Sequence, residues 1–370
     1  MSTEAASDHI SGSLQALFLF DAADEIHLEE LRAILEIPAP RREPAFRQPA
    51  PEYVQFARPP VIEPLAPIAL QDGGSAAVSI AYYDYGVVSV KLERAFEGSW
   101  SETVALAERW MSTPDLERCA TEIADRQLDR AMPALLHPYA QRLTEDYNIV
   151  HLARIVDGRG KPLLAADLTG RCAEPIAQIV RGEAARFSAG ELAEILESRL
   201  SYYDTDLLVV GWSAALIYDT PEGAAPTIQL LEYANTQLLD FRHYDSVLTG
   251  LLSGVYRTLE RRGGLFTRWR FAREADRLNT IRLDIRELTE RVDNSIKFLS
   301  DMFAARLYRM AAAKIGVADY RKLVDQKLES AGELYGFMMD NFYQARAFAL
   351  EAMVVVILII ELVFLFRGSK

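Results

Sequence analysis

The placement of proline limits this chain more than any other feature. Nine of its sixteen prolines fall between Pro38 and Pro67, seven more follow by Pro226, and the last 144 residues have none. A proline inside a helix removes a hydrogen bond and clashes with the preceding turn, costing roughly 3 kcal/mol. Long helices are therefore permitted from Thr227 onward. The stretch from Pro38 to Pro67 suits neither a helix nor a central strand and reads as an extended surface connector.

Charge divides the chain in the same way. Residues 1–225 hold 19 Lys+Arg against 35 Asp+Glu, a balance of −16, and residues 226–346 hold 19 against 16, a balance of +3. An acidic head repels a phosphate backbone, so direct binding of nucleic acid by the head is disfavoured. The two cysteines, Cys119 and Cys172, fit a reducing compartment and no disulfide framework. No Lys or Arg precedes Arg32, unlike a secretory or transit peptide. The head is expected to stay where it is made, the bacterial cytoplasm being the simplest case.

Within the head, Leu14–Phe20 reads as a buried strand, followed by a helical pattern through Leu28, Leu31, Ile34 and Leu35. Val78–Tyr82 and Gly86–Leu92 read as strands, and Ser99–Met111 as an amphipathic helix with Ser99 as its N-cap. A second round follows: a strand at Asn148–Val156, a helix at Ser188–Leu200 and one or two strands in Leu207–Tyr218. Tyr82-Tyr83-Asp84 recurs as Tyr202-Tyr203-Asp204, 120 residues later. The expected fold is therefore an α+β head of two related lobes, of ferredoxin-like type, in residues 1–112 and 113–225. Duplication and coincidence both account for the repeat.

Residues 226–346 read as a stalk of three antiparallel helices. Leu231, Leu238, Leu252 and Leu259 alternate with Ala234, Phe241, Leu248 and Val255 at heptad spacing, with Asp245 as the polar intruder. Leu278, Ile281, Ile285, Leu288, Val292, Leu299 and Met302 mark the second helix. Val324, Leu328, Ala331, Tyr335, Met338, Phe342 and Ala345 mark the third.

The run from Ala347 to Phe366 supplies about 20 largely apolar residues, roughly the thickness of a bilayer core. It is expected to be a C-terminal transmembrane helix at 347–366, with a tail at 367–370, making a single-pass protein with its head in the cytoplasm. Glu361 falls inside that run. It reads either as an intramembrane polar contact or as a residue near the far headgroups. Phe266, Arg268, Trp269, Arg270, Phe271 and Arg273 mix rings and cations as an interfacial helix would, with the lipid bilayer as partner. The same residues also suit a solvated hairpin tip with Trp269 in the bundle core.

Sequence signals for chemistry are sparse. Asp157-Gly158-Arg159-Gly160-Lys161-Pro162 lacks the glycine spacing and the Ser/Thr of a phosphate loop and reads as a β-turn. The five histidines show no ligand spacing, and no nucleophile–base motif occurs. No catalytic, cofactor or metal site is expected, and no cofactor.

Two stretches carry a resemblance. Tyr85-Gly86-Val87-Val88-Ser89-Val90 is similar to a Tyr-Gly-Val-Val strand. Tyr320, Lys327-Leu328, Glu333-Leu334, Leu350-Glu351 and Ile360-Glu361-Leu362-Val363-Phe364 are similar to a helix that enters a terminal span. Together they resemble the "required for meiotic nuclear division" family of single-span membrane-anchored proteins. Ala352 stands where that family usually has Trp. The resemblance implies an α/β head on a membrane-tethered scaffold.

The expectation is a non-enzymatic membrane-tethered scaffold that meets an unknown protein partner through its acidic cytoplasmic head, with room for a homo-oligomer. The competing expectation is an oligomeric, channel-like or regulatory subunit of a transport system, built around Glu361.

Overall fold

The computed structural model describes residues 8–38, 55–56, 58–260, short helical pieces between 275 and 286, residues 296–297, and residues 302–368. The chain forms two compact units. The first comprises Met1–His243 with Arg291–Tyr320, and the second Tyr244–Glu290 with Arg321–Lys370.

The first unit is built on one mixed eight-stranded sheet. Its strands are β1 (Val61–Ala69), β2 (Ser75–Tyr82), β3 (Val87–Gly98), β4 (His9–Asp21), β5 (Thr144–Val156), β6 (Ala214–Tyr218), β7 (Leu207–Val210) and β8 (Arg199–Leu200), listed in spatial order across the sheet. Only β5 and β6 pair in parallel; the other neighbours are antiparallel. Residues from 1–112 and from 113–225 therefore share one sheet, where two separate lobes were expected. The join is made by β4 and β5, which pair along nearly their whole length, from His9 opposite Val156 to Phe20 opposite Thr144.

Proline explains the order at one edge. β1 carries Pro64 and Pro67, and its register shifts between Leu65 and Ile68. A residue without an N–H is tolerated at an outer strand and at a bulge, not in mid-sheet. The end of the proline-rich connector is thus an edge strand. The bulk of the connector, 39–54, lies outside the described residues.

Each strand sends alternate residues to opposite faces. Leu14, Ala16, Phe18 and Phe20 of β4 join Val88, Val90 and Leu92 of β3 and Val150 and Leu152 of β5 in one apolar core. Six helices supply its other wall: α1 (Leu28–Ile34), α2 (Trp100–Met111), α3 (Pro114–Ala131), α4 (Ala165–Arg171), α5 (Ala173–Arg181) and α6 (Ala189–Glu197). Ser99 caps α2 as its sequence predicts. Its hydroxyl accepts from the Glu102 N–H at 3.4 Å, and Glu102 answers the Ser99 N–H at 2.7 Å.

The opposite face is covered by the start of α7 (Pro221–Glu260). Asp21, Ser89 and Glu145 point to this side. They meet His243, Glu232 and Arg242 of the helix. Between Leu231 and Phe241 the helix is buried all round.

In the second unit Leu252, Leu278 and Ala331 form one small cluster, and Val255, Ala275 and Met338 another. Leu248, Leu252 and Val255 are buried in this unit. Asp245, the polar intruder in the heptad pattern, is paired by Lys327, whose Nζ lies 2.5 Å from Oδ1.

After α8 (Met302–Ile315), Gly316 adopts a φ of +98° and the chain re-enters a helix, α9 (Val317–Gly368), of 52 residues. The expected transmembrane segment is the last part of this helix. The expectation of a membrane span is corrected here: among the described residues, no helix is long and apolar enough to cross a membrane. A span needs about 18 apolar residues with few charges. Arg346–Val363, the final stretch whose side chains are described, carries Arg346, Glu351 and Glu361. With the span go the tail anchor and the single-pass location expected of the chain. Glu361 is an exposed residue of α9.

Candidate functional site

Two features of the first unit concentrate chemistry. One is a polar seam between the sheet and α7. The other is a cavity where α7 begins.

The seam is made of groups seldom found inside a protein. Asp21, Asp84, Glu232 and Asp240 are each at least nine-tenths buried, as are Asn235, Thr236 and Gln237. Tight turn geometry places the first of its tyrosines. The Gly86 N–H donates to the Tyr83 carbonyl at 3.1 Å, closing a turn that holds Tyr83, Asp84 and Tyr85 over the helix. Gly86 has a φ of +91°, and a methyl group there would collide with the Ala23 carbonyl. Tyr85 and Thr236 share a hydroxyl hydrogen bond of 2.7 Å, and Gln237 donates to the Tyr233 hydroxyl at 3.1 Å.

Burial sets the electrostatics of the seam. It lifts the Asp240 carboxyl well above the usual range, and the charges of Asp21 and Asp84 push it the same way. Asp240 Oδ2 is buried without a hydrogen-bond partner among the described residues. Asp21 is also raised by burial, although His243 pulls it back through a hydrogen bond and its charge. Glu232 is raised by burial, against hydrogen bonds from Ser89 and Tyr83. Among the described residues no group of three or more His, Cys, Asp and Glu is arranged to hold a metal ion.

The cavity lies at the ends of β6 and β7 and has a volume of about 270 Å³. The loop 201–206 makes one wall. The Asp206 carboxylate accepts from the backbone N–H groups of Tyr202 and Tyr203, and the Ser201 hydroxyl lies 2.6 and 2.7 Å from the carbonyl oxygens of Tyr203 and Asp206, either of which can take its one proton. That side-chain scaffolding fixes the two tyrosines in place. Their rings meet edge to face with centroids 4.7 Å apart, and Phe303 of α8 meets Tyr202 the same way at 4.9 Å. Asp219 and Glu222 belong to the other wall, at the first turn of α7, over a floor that includes Leu230 and Leu307. Among the described residues no Lys, Arg or His lines the cavity.

Of the residues singled out in the sequence, Phe266, Arg268, Trp269, Arg270, Phe271 and Arg273 lie outside the described residues. Glu361 belongs to the second unit and to neither site. The residues of the seam and cavity escaped notice for a definite reason. Glu232, Asn235, Thr236, Gln237 and Asp240 look like the wet face of an amphipathic helix, and only the sheet's polar face shows that they are buried. For the cavity the one faint signal is the Tyr202-Tyr203-Asp204 triplet, which in sequence looks like a repeat of Tyr82-Tyr83-Asp84 and in the structure lines the cavity with Tyr202 and Tyr203.

Residues 11–225 match the family described as "Uncharacterized protein MJ0711, N-terminal domain". The chain belongs to this family. The match spans the sheet and the six helices on its apolar face. Uncharacterized protein MJ0711 from Methanocaldococcus jannaschii is 22% identical over 170 residues, which make up 46% of this chain and 52% of that protein. The alignment thus spans about half the length of the curated relative. Membership in the MJ0711 N-terminal domain family overturns the resemblance to the meiotic nuclear division family. That resemblance rested on short, mostly apolar stretches. A buried strand after a Tyr-Gly turn and an apolar helix recur wherever a sheet must pack and a helix must bury.

Proposed function

We propose that this protein is a non-enzymatic interaction scaffold whose acidic first unit receives a basic surface of a protein partner. The observation that carries the reading is the cavity at the start of α7, which presents Asp206, Asp219 and Glu222 with no cationic side chain in its lining among the described residues. The surplus of acidic residues over residues 1–225 extends the same field beyond the cavity. A field of one sign steers an oppositely charged partner and weakens with salt.

Zero-length carboxyl-to-amine crosslinking of the tagged full-length protein in its own cells tests this reading. Crosslinks from carboxylates of residues 1–225 to lysines of one recurrent partner are expected, with a yield that falls as salt is raised. Crosslinks confined to the protein's own lysines, whatever the salt, would overturn it.

A further inference from the structure

We propose that the cavity between the loop 201–206, α8 and the first turn of α7 seats an ammonium-type organic cation, namely the end of a lysine side chain or its methylated forms. This inference rests on the scaffold reading above and names the group that the acidic unit would grip.

The lining argues for the class of ligand. Tyr202, Tyr203 and Phe303 turn rings in nearly perpendicular planes, 79° and 76° apart, so that their faces do not all look the same way. Ring faces carry the negative part of the aromatic quadrupole and attract cations, most strongly where water is excluded. Phe303 already takes part in one such contact, with the Arg306 guanidinium carbon 5.7 Å from its centroid. Arg306 does not line the cavity. Its single positive charge stands against the carboxylates of Asp206, Asp219 and Glu222, which do.

An anion is disfavoured even though a long helix starts here. Thr220 N–H is answered by Asp219 Oδ1 at 2.7 Å, Gly223 N–H by the Thr220 hydroxyl at 3.2 Å, and Ala224 N–H by the Thr220 carbonyl at 2.9 Å. Three of the N–H groups that would hold a phosphate are thus answered within the first turn, and Pro221 has none to offer. A divalent metal is disfavoured by the apolar floor, since hard cations need a closed set of oxygen ligands. A volume of about 270 Å³ lies at the lower edge of the range for small-molecule sites and suits one side-chain terminus better than a nucleotide.

Gly223 ties the site together. A methyl group at that position would run into the Asp219 carboxylate. Gly223→Ala should therefore displace the carboxylate while favouring the helix around it.

Calorimetric titration of the full-length protein with tetramethylammonium chloride and with Nα-acetyl-lysine methylamide tests the inference, against sodium chloride at matched ionic strength. Saturable one-to-one binding is expected with the ammonium compounds and none with sodium. Phe303→Leu should weaken it about three- to thirty-fold. Tyr202→Leu, on a half-exposed loop residue that the fold can spare, should weaken it in the same range, and Glu222→Gln and Gly223→Ala should weaken it as well.

A salt-matched titration without saturation would overturn the inference, as would binding that all four variants leave unchanged. A lysine-rich peptide run in parallel separates the two readings. Peptide binding that is salt-sensitive but indifferent to the four substitutions would keep the acidic scaffold and refute the cavity as its grip. Absence of both interactions would refute both.

Discussion

Nδ1 of His243 lies 2.5 Å from Oδ2 of Asp21, and the ring of Tyr139 stacks on the imidazole with centroids 4.7 Å apart and planes 12° from parallel. This pair joins the end of a central strand to the long helix across the polar face of the sheet. Around it stand Asp84, held by Arg58 at 3.4 Å, and Asp240, which has no such cation among the described residues. A sheet with an apolar core on one side and a carboxylate-rich seam on the other ties its stability to pH through the second side.

Asp240 should make the protein less stable as pH rises. Its pKa is higher in the fold than the ordinary value of 3.8, so the native state keeps a proton that the unfolded chain has released. The stabilisation from that proton is complete below the unfolded pKa and disappears as pH climbs through the folded one. Asp240→Asn, similar in shape and uncharged, is expected to raise the urea midpoint at neutral pH and to change it little near about pH 4. Denaturation curves at both pH values, with unchanged slopes, check this. A midpoint lowered at neutral pH would show that the carboxylate is wanted there.

Gly86→Ala should destabilise the first unit by about 2 kcal/mol or more, because it combines a positive φ with a collision against the Ala23 carbonyl. Urea unfolding followed by far-UV circular dichroism measures it. A loss under about 0.5 kcal/mol would mean that the turn 83–86 relaxes without strain.

Ser99→Ala removes the acceptor for the first turn of α2 and should lower stability by about 1 kcal/mol. Ser99→Asp, which restores an acceptor, should recover much of the loss. Hydrogen exchange at the Glu102 amide gives the local readout, with faster exchange expected in the alanine variant alone.

Lys327 and Asp245 should prove coupled, by about 0.5–1 kcal/mol in a double-mutant cycle of Lys327→Met and Asp245→Asn, since the pair is only partly shielded from water. Lys327 Nζ also lies 2.5 Å from the Thr249 hydroxyl, which fixes its direction. The coupling should shrink in high salt. Additive effects would reduce the pair to a surface contact without consequence.

The parts of the fold legible in the sequence are those governed by near neighbours. Ser99 followed by Glu102 encodes a capped helix start, the unbroken apolar run Leu14–Phe20 encodes a strand buried on both faces, and Leu231, Leu238, Leu248 and Leu252 fall on the buried stripe of α7. What misled was composition without context. The apolar run after Ala347 reads as a span until Arg346, Glu351 and Glu361 are counted along the described helix. The paired Tyr-Tyr-Asp motifs invite a duplication, yet one closes a turn over a buried seam and the other stands on an open loop beside a cavity.

The sequence by itself determined the acidic character of residues 1–225, the helix caps, the buried strand at Leu14–Phe20 and the proline-free run after Pro226 that permits long helices, although α7 begins at Pro221 and holds Pro226 inside it. Each of these depends on residues within a few positions of one another, where sterics and local hydrogen bonds act. The tertiary structure alone decided that β4 and β5 join the two halves of the head into one sheet. It also decided that the polar stripe of α7 is buried against Asp21 and Asp84, and that Tyr202, Phe303 and Glu222 share a cavity. Those groups are far apart in the chain. Desolvation and Coulomb interactions depend on distance in space, which a linear order of residues does not contain.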